Sequence, residues 1–395
     1  MSESNATTHL KTPCPGQASS QHCTVLCSVG NCSLGRHGLV AENRDVASVG
    51  AAEIMVAGNP EGGNRYLGIS TDGNPSSLTI GINEKGVISG MAARYCHPMS
   101  AQGIPAGVII NRCLQSAGSA EEMAAQIQAI IRTEGKNRAG SAFSCADYRE
   151  LYVVEGYKKA SEIFGPLKDT VFAYANYALT DRLKRYEKVS RGHQRATQAF
   201  TLLDQHRGAL TVPFLIRFCR DHEHPPDTAY TWDDRNICTH GFGNDTRGSG
   251  ICLSHRKYPH LLSVLWSAFN QPCKTPYVPF YIGINRLPKV YTHAEAYTVF
   301  ENLAVLLEYY PEYQTAVRTY WEAFEMQTLR EGENMEKRVA ELAEGRRTDA
   351  ARELLTGFVA GKADRAVADA FKITKKIKRD GRRKKHGAKL DIISS

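Results

Sequence analysis

Cys23 and Asp45 bracket a stretch whose residue types could run acyl chemistry. A cysteine that becomes a new N-terminus carries its own base. Its α-amino group has a pKa of roughly 7.7 to 8, so near neutral pH it can take the thiol proton, and the thiolate is the species that attacks a carbonyl. One residue then supplies nucleophile and base together. A carboxylate such as Asp45 beside that amine would orient it and stabilise its protonated form. A buried thiol and a turn carboxylate have the same residue types, so at this level both readings stay open.

The elements that must position this pair are legible around it. Cys23 to Val29 is a short apolar, β-branched run, Gly30 to Gly38 is a Gly-containing turn, and Leu39 to Asp45 is a second extended run. The pattern predicts an antiparallel hairpin in which Asp45 lies close to the backbone amine of Cys23. Cys27 is the runner-up nucleophile. It sits four residues along the same strand, hence on the same face, but cleavage before it would shorten that strand.

The chain has 395 residues, 42% of them hydrophobic, enough for one large domain or a domain plus an extension. Its eleven cysteines form no repeating framework, and Met1 to His22 is rich in Ser, Thr, Gln and Gly without an apolar signal core, which places the protein in a reducing cytoplasm. No apolar run reaches the ~18 residues of a membrane span. The net charge of +8 is concentrated: Lys372 to Lys389 holds ten Lys or Arg against one Asp, so the rest of the chain is close to neutral. That tail is expected to be a solvated, disordered end. An anionic partner for it, nucleic acid or membrane surface, is the alternative, although aromatics for base stacking are lacking beyond Phe371.

Extended segments are expected at 66–70 and 78–82, the latter turning through Asn83-Glu84-Lys85-Gly86 into 87–91. Ser119 to Glu122 reads as a capping box opening a helix with Met123, Ile127 and Ile130 inward. Strands follow at 151–154 and 171–175, and a helix with Ala196, Phe200 and Leu203 on one face. A strand pair is expected at 251–253 and 261–266. Thr292 and Glu295 read as a second capping box, and helical, charge-rich sequence runs to about residue 370. This order suits a layered α+β body with a helical C-terminal addition. Cys14, His22, Cys23, Cys27, Cys32 and His37 crowd one region, but without the paired spacing of a zinc knuckle. Cys238 and Cys273 read as core packing, and His222 and His224 beside Pro225-Pro226 as a solvated loop.

Seven pieces in order extend the reading: Cys23-Thr24, Asn43-Arg44-Asp45, Gly81 to Gly86, the Ala146-Asp147 and Val154-Glu155 turns, Tyr174-Ala175-Asn176, Ile237 to His240, and Asn270 to Cys273. Over residues 23–283 the chain resembles the penicillin acyltransferase branch of the N-terminal nucleophile (Ntn) hydrolases, which is related to the choloylglycine hydrolases. The resemblance implies a four-layer αββα sandwich, a leader over 1–22 removed by self-processing, a catalytic domain over 23–310, a helical extension over 311–370 and the basic tail over 371–395. It implies that Cys23 forms a thioester acyl-enzyme, that Asp45 stands near the free amine, and that Asn176 helps form the oxyanion hole. Either Ser190-Arg191 or Arg195 fills the family's arginine position, with Arg195 favoured. Water or an amine resolves the thioester, making the protein an amidohydrolase or an acyltransferase for a small acyl amide or acyl thioester, with no metal or organic cofactor required. The chain departs from the pattern at Glu42, where bile salt hydrolases carry Arg, at Tyr177, where His is common, and in a longer first turn that carries Cys32. Those departures give a non-catalytic, Ntn-like binding protein its standing as the competing reading.

Overall fold

The computed structural model describes residues 22–46, 52–70, 73–222, 235–240 and 245–384. The leader expected over 1–22 lies outside this set except for His22.

One sheet runs in the order β10-β1-β2-β12-β13-β14, built from β1 (His22–Ser28), β2 (Gly38–Val46), β10 (Val171–Tyr174), β12 (Asp245–Ser254), β13 (Val264–Phe269) and β14 (Val278–Tyr281). The second runs β3-β4-β5-β6-β7-β8-β9: β3 (Ile54–Gly58), β4 (Tyr66–Ser70), β5 (Leu78–Asn83), β6 (Ile88–Cys96), β7 (Lys136–Ala146), β8 (Glu150–Lys158) and β9 (Ala160–Lys168). A short strand, β11 (Glu187–Val189), pairs with β6. All the pairings are antiparallel.

The sheets pack face to face through β1 and β2 on β6 and β12 on β5. Helices α1 (Ala106–Leu114) and α2 (Ala120–Thr133) cover the outside of the second sheet; α3 (Asp181–Lys184) lies against β8 and β9. Helices α4 (His193–Gln205) and α5 (Val212–Cys219) cover the first sheet at β10, β1, β2 and β12. After the short α6 (Pro259–Leu262) and α7 (Lys289–Thr292), the long helices α8 (Glu295–Tyr309), α9 (Gln314–Glu344) and α10 (Thr348–Lys384) extend that layer over β13 and β14. The layers are therefore αββα. One hydrophobic cluster joins Val25 and Leu26 of β1 to Leu355, Val359 and Ile377 of α10.

Local signals explain where helices start. The Ser119 hydroxyl accepts from the Glu122 amide at 3.1 Å, and Gly118 N–H donates to Glu122 Oε2 at 2.7 Å, so the first turn of α2 is capped from both sides, an arrangement worth about 0.5–2 kcal/mol. Met123, Ala124, Ile127 and Ile131 then bury against the sheet, each large one contributing roughly 1.5–3 kcal/mol.

Three expectations are corrected. The second capping box is not formed: Thr292 ends α7 by donating to Lys289 O at 2.9 Å, and Ala294 precedes α8 without a side-chain cap. Phe200 is 42% exposed, because α4 is rotated so that Arg195, Ala196, Ala199 and Leu203 face inward. The basic segment is helical as far as Lys384. Every third or fourth residue there, Ala370, Thr374 and Ile377, is buried, and Tyr310 packs against Gly381 so closely that a Cβ would meet its ring at 2.7 Å. The positive charges thus line the outer face of an amphipathic helix.

Candidate active site

β2 is buried along its whole length, flanked by β1 and β12, with one face on the second sheet and the other under α5 and the Arg195 side chain of α4. Such a strand usually reads as a run of apolar residues; here Glu42, Asn43, Arg44 and Asp45 occupy its far half. Desolvating four polar side chains in a row is costly unless each finds partners. Asn43 Nδ2 donates to Cys219 O at 2.8 Å and Ile237 O at 3.0 Å, and Arg44 pairs with buried Glu53 at 3.3 Å. Glu42 Oε2 accepts from Met91 N–H at 3.2 Å across the sheet interface, and burial raises its carboxyl well above the ordinary range.

The hairpin forms as expected, but its register corrects one detail. Cys23 pairs with Arg44, and Asp45 pairs with His22. Since side chains alternate along a strand, the Cys23 thiol faces the second sheet, beside Ala93, while Asp45 points to the helical layer. Asp45 therefore reaches the neighbourhood of Cys23 through other groups and not by direct pairing.

Those groups converge closely. The Cys23 backbone N–H donates to Asn176 Oδ1 at 3.1 Å. Arg195 Nη2 donates to the same Oδ1 at 2.8 Å, while its Nη1 donates to Asp45 Oδ2 at 2.7 Å and Thr24 Oγ1 at 3.0 Å. The Thr246 hydroxyl donates to Asp45 Oδ1 at 2.7 Å, and Asn176 Nδ2 donates to Ala93 O at 2.6 Å. Two donors on Oδ1 fix the orientation of the Asn176 amide. Asn176 follows β10, which runs beside β1, and Gly192, at φ 83°, lets the chain approach Ala175 before α4 begins; a Cβ there would meet Ala175 at 2.5 Å. Of the two arginine positions left open by sequence, Arg195 is the one that joins this network.

Burial pushes Asp45 up to about 6, against the pull of Arg195 and the Thr246 hydroxyl. Burial also holds the Cys23 thiol far above its ordinary value; Glu42 and Asp45 add to this, and a backbone hydrogen bond from Ala93 opposes it. Cys27, on the same face, is pushed up to about 12 by burial and finds no comparable network among the described residues.

Next to Ala93 a cavity of about 540 Å³ opens between β6, β7 and the start of α1. Met91, Ala93, Tyr95 and Met99 give it an apolar wall, and Arg94 and Lys136 a basic one. Arg94 pairs with buried Glu155 at 3.1 Å, and burial, reinforced by Arg94, lowers Lys136 to about 7. Sequence reading missed this wall because its residues lie on two strands and a loop that only the β6–β7 pairing brings together.

The cysteine-rich N-terminal region holds no metal-type cluster among its described residues. His222, Cys238, His240 and Cys273 instead bring four donor atoms within 4.8 Å of one another. Cys238 is buried and His222 is exposed in an irregular segment, as expected, but their shared cluster with His240 and Cys273 was not anticipated; His224 lies outside the described residues.

No family model matches the chain, and no curated protein matches it in sequence. Among solved structures, it is similar to a mutant of conjugated bile acid hydrolase from Clostridium perfringens, at 11% identity and a TM-score of 0.42 over 66% of this chain and 92% of that one. It is also similar to penicillin V acylase from Agrobacterium tumefaciens, at 13% identity and 0.43 over 66% and 85%. The likeness is distant in sequence and partial in structure. No helix among the described residues is long and apolar enough to cross a membrane.

Proposed function

We propose that this protein is a self-processing N-terminal-cysteine amidohydrolase or acyltransferase acting on a small acyl amide or acyl thioester. The observation that carries the reading is the convergence of Asn176, Arg195 and Asp45 on the backbone nitrogen of Cys23. An ordinary mid-strand amide needs one carbonyl partner. A nitrogen held by a side-chain amide that is itself braced by a buried arginine–aspartate pair is held as a future α-amine would need to be.

In this reading water hydrolyses the His22–Cys23 peptide bond, His22 leaving as the carboxyl end of the released segment, and the freed amine of Cys23 takes the thiol proton. The sulfur attacks the substrate carbonyl to give a tetrahedral oxyanion. The carbon–nitrogen bond then breaks, the leaving amine taking the proton from the Cys23 ammonium, and a thioester remains. Water or an acceptor amine attacks it, passes its proton to the same α-amine, and the thiol is restored. Asn176 orients the amine through Oδ1, and its amide is the candidate oxyanion donor. Arg195 keeps Asn176 and Asp45 in place, and Asp45 balances the ammonium. The positive charge that appears on the amine also lowers the thiol that burial had raised. The substrate's acyl or acceptor portion occupies the Ala93 cavity, where Lys136 and Arg94 favour a polar or anionic group against an apolar wall.

Intact mass and N-terminal sequencing of the wild type and Cys23→Ala test this directly. The wild type should begin at Cys23, and the variant should retain residues 1–22. A wild type that keeps the leader, or begins at Cys27, would overturn the assignment.

A further inference from the structure

We propose that His222, Cys238, His240 and Cys273 form a four-ligand binding site for a zinc-type divalent transition metal. The site is distinct from the Cys23 nucleophile and does not depend on the function assigned above.

The donors are already nearly at coordination distance. Cys238 Sγ lies 3.4 Å and Cys273 Sγ 3.2 Å from His240 Nε2, the His222 and His240 ring centroids are 4.8 Å apart, and the four donor atoms fall within 4.8 Å of one another. A tetrahedral zinc with ligand bonds of ~2.3 Å to sulfur and ~2.0–2.1 Å to nitrogen would hold its donors about 3.3–3.8 Å apart, so only a small inward movement closes the site. Two thiolates and two imidazoles are a soft and borderline donor set that suits zinc and disfavours magnesium or calcium, which seek oxygen. Two thiolates also neutralise a divalent cation, so the filled site carries no net charge into a half-buried pocket.

The described backbone next to the ligands is held independently of any metal. Arg220, two residues before His222, donates to Pro272 O at 2.6 Å and Thr275 O at 3.0 Å, on either side of Cys273, and pairs with buried Glu325 at 2.6 Å. Cys238 N–H donates to Asp221 O at 3.2 Å. Asn43 bridges the carbonyls of Cys219 and Ile237, and Thr239 N–H donates to Thr246 Oγ1 at 2.9 Å. Three separate segments are thus braced with their donor side chains facing one another, a preorganisation that core thiols do not need. Cys238 is buried, His240 and Cys273 are half-buried, and His222 is exposed, which leaves the His222 side as the route of entry.

The test uses untagged full-length protein, purified under reducing conditions, loaded with zinc and passed through a desalting column before elemental analysis. About one zinc per chain is expected for wild type, with near-complete loss in Cys238→Ser/Cys273→Ser and retention in the control Cys32→Ser. Cobalt(II) in place of zinc should give the visible bands and thiolate charge transfer of a tetrahedral sulfur-ligated site, lost in the double variant. Because a core substitution can unfold the chain, exposed His222→Ala is the second variant; it should release zinc to a chelator faster than wild type while keeping the wild-type circular dichroism. Wild type that retains no metal, a double variant that retains as much as wild type, or a Cys238–Cys273 disulfide formed under these conditions would overturn the proposal.

Discussion

Around Cys23 every positioning group arrives on or at the end of a regular element. β1 carries the cysteine, β2 carries Asp45, the end of β10 brings Asn176, and the first turn of α4 brings Arg195. Around Cys238 and Cys273 the donors arrive on irregular segments, tied down by Arg220, Asn43 and Thr239. A site set by strand register is stiff, because a one-residue slip would turn every side chain to the other face. A site set by loops must be braced group by group. The first kind suits chemistry that needs a nitrogen fixed to fractions of an ångström; the second suits a ligand that itself completes the bracing.

The sharpest break of this comparison is Cys23→Ala, which should abolish removal of residues 1–22 and lower turnover of a responsive acyl amide by a factor on the order of 10⁶, measured by mass and by rate. Arg195→Ala comes next. It strands Asp45 in a buried position and should cost about 3–5 kcal/mol of unfolding free energy measured by urea denaturation, whereas Arg220→Ala, which strands Glu325 beside the loop cluster, should cost a similar amount without slowing processing of the folded fraction. Equal losses of processing in both variants would erase the distinction between the two regions. Asn176→Ala removes an amide that touches both the Cys23 nitrogen and Ala93; a loss of about 10²–10³ in processing rate is expected, with Asn176→Asp as the same-shape control.

A smaller effect concerns pH. Burial raises Asp45 to about 6, above the ~3.9 of an unfolded chain, so the folded state holds its proton more tightly. Asp45's contribution to stability is therefore full below about pH 4 and falls as the pH rises through about 6. Processing should show the opposite trend, since only the carboxylate pairs with Arg195 and balances an ammonium: its rate should fall below about pH 6 in wild type, and the residual rate of Asp45→Asn should be flat there. The mildest change is Ile377→Ala, predicted to cost about 2–5 kcal/mol in stability through a cavity under α10 while leaving the rate per folded molecule unchanged. A rate change there would mean that the long helices reach the chemistry.

Much of the Cys23 region was legible because local patterns and final neighbours coincide. The hairpin, the strand ending near Asn176 and the cap at Ser119 follow from apolar runs, turn residues and side-chain chemistry close by in the chain. The exact register was not, since the longer first turn, with its two short 3-10 turns, sets which residue faces Cys23. Arg195 was one of two choices, and the helix rotation that turns it inward also turns Phe200 out. The loop cluster left no periodic signal at all. Its ligands meet only because Asn43 and Arg220 draw together loops that are remote in sequence, and Cys238-Thr239-His240 was the one close pair of donors that a search for ligand spacing could have found. The tail misled because a block of like charges resembles a solvated coil until Thr374 and Ile377 are seen as the inward face of a helix.

The His22–Cys23 bond has one further property. It is the first peptide of β1, paired to β2 on one side and held by Asn176 on the other, beneath α4. A protease needs several residues of extended chain to enter its cleft, and this segment cannot be drawn out without dismantling the sheet. If the proposed processing takes place, cleavage there is expected to be an event within one molecule. Its half-life should be the same at nanomolar and micromolar protein, and mixing mature chains with a slow-cutting precursor should not hasten maturation.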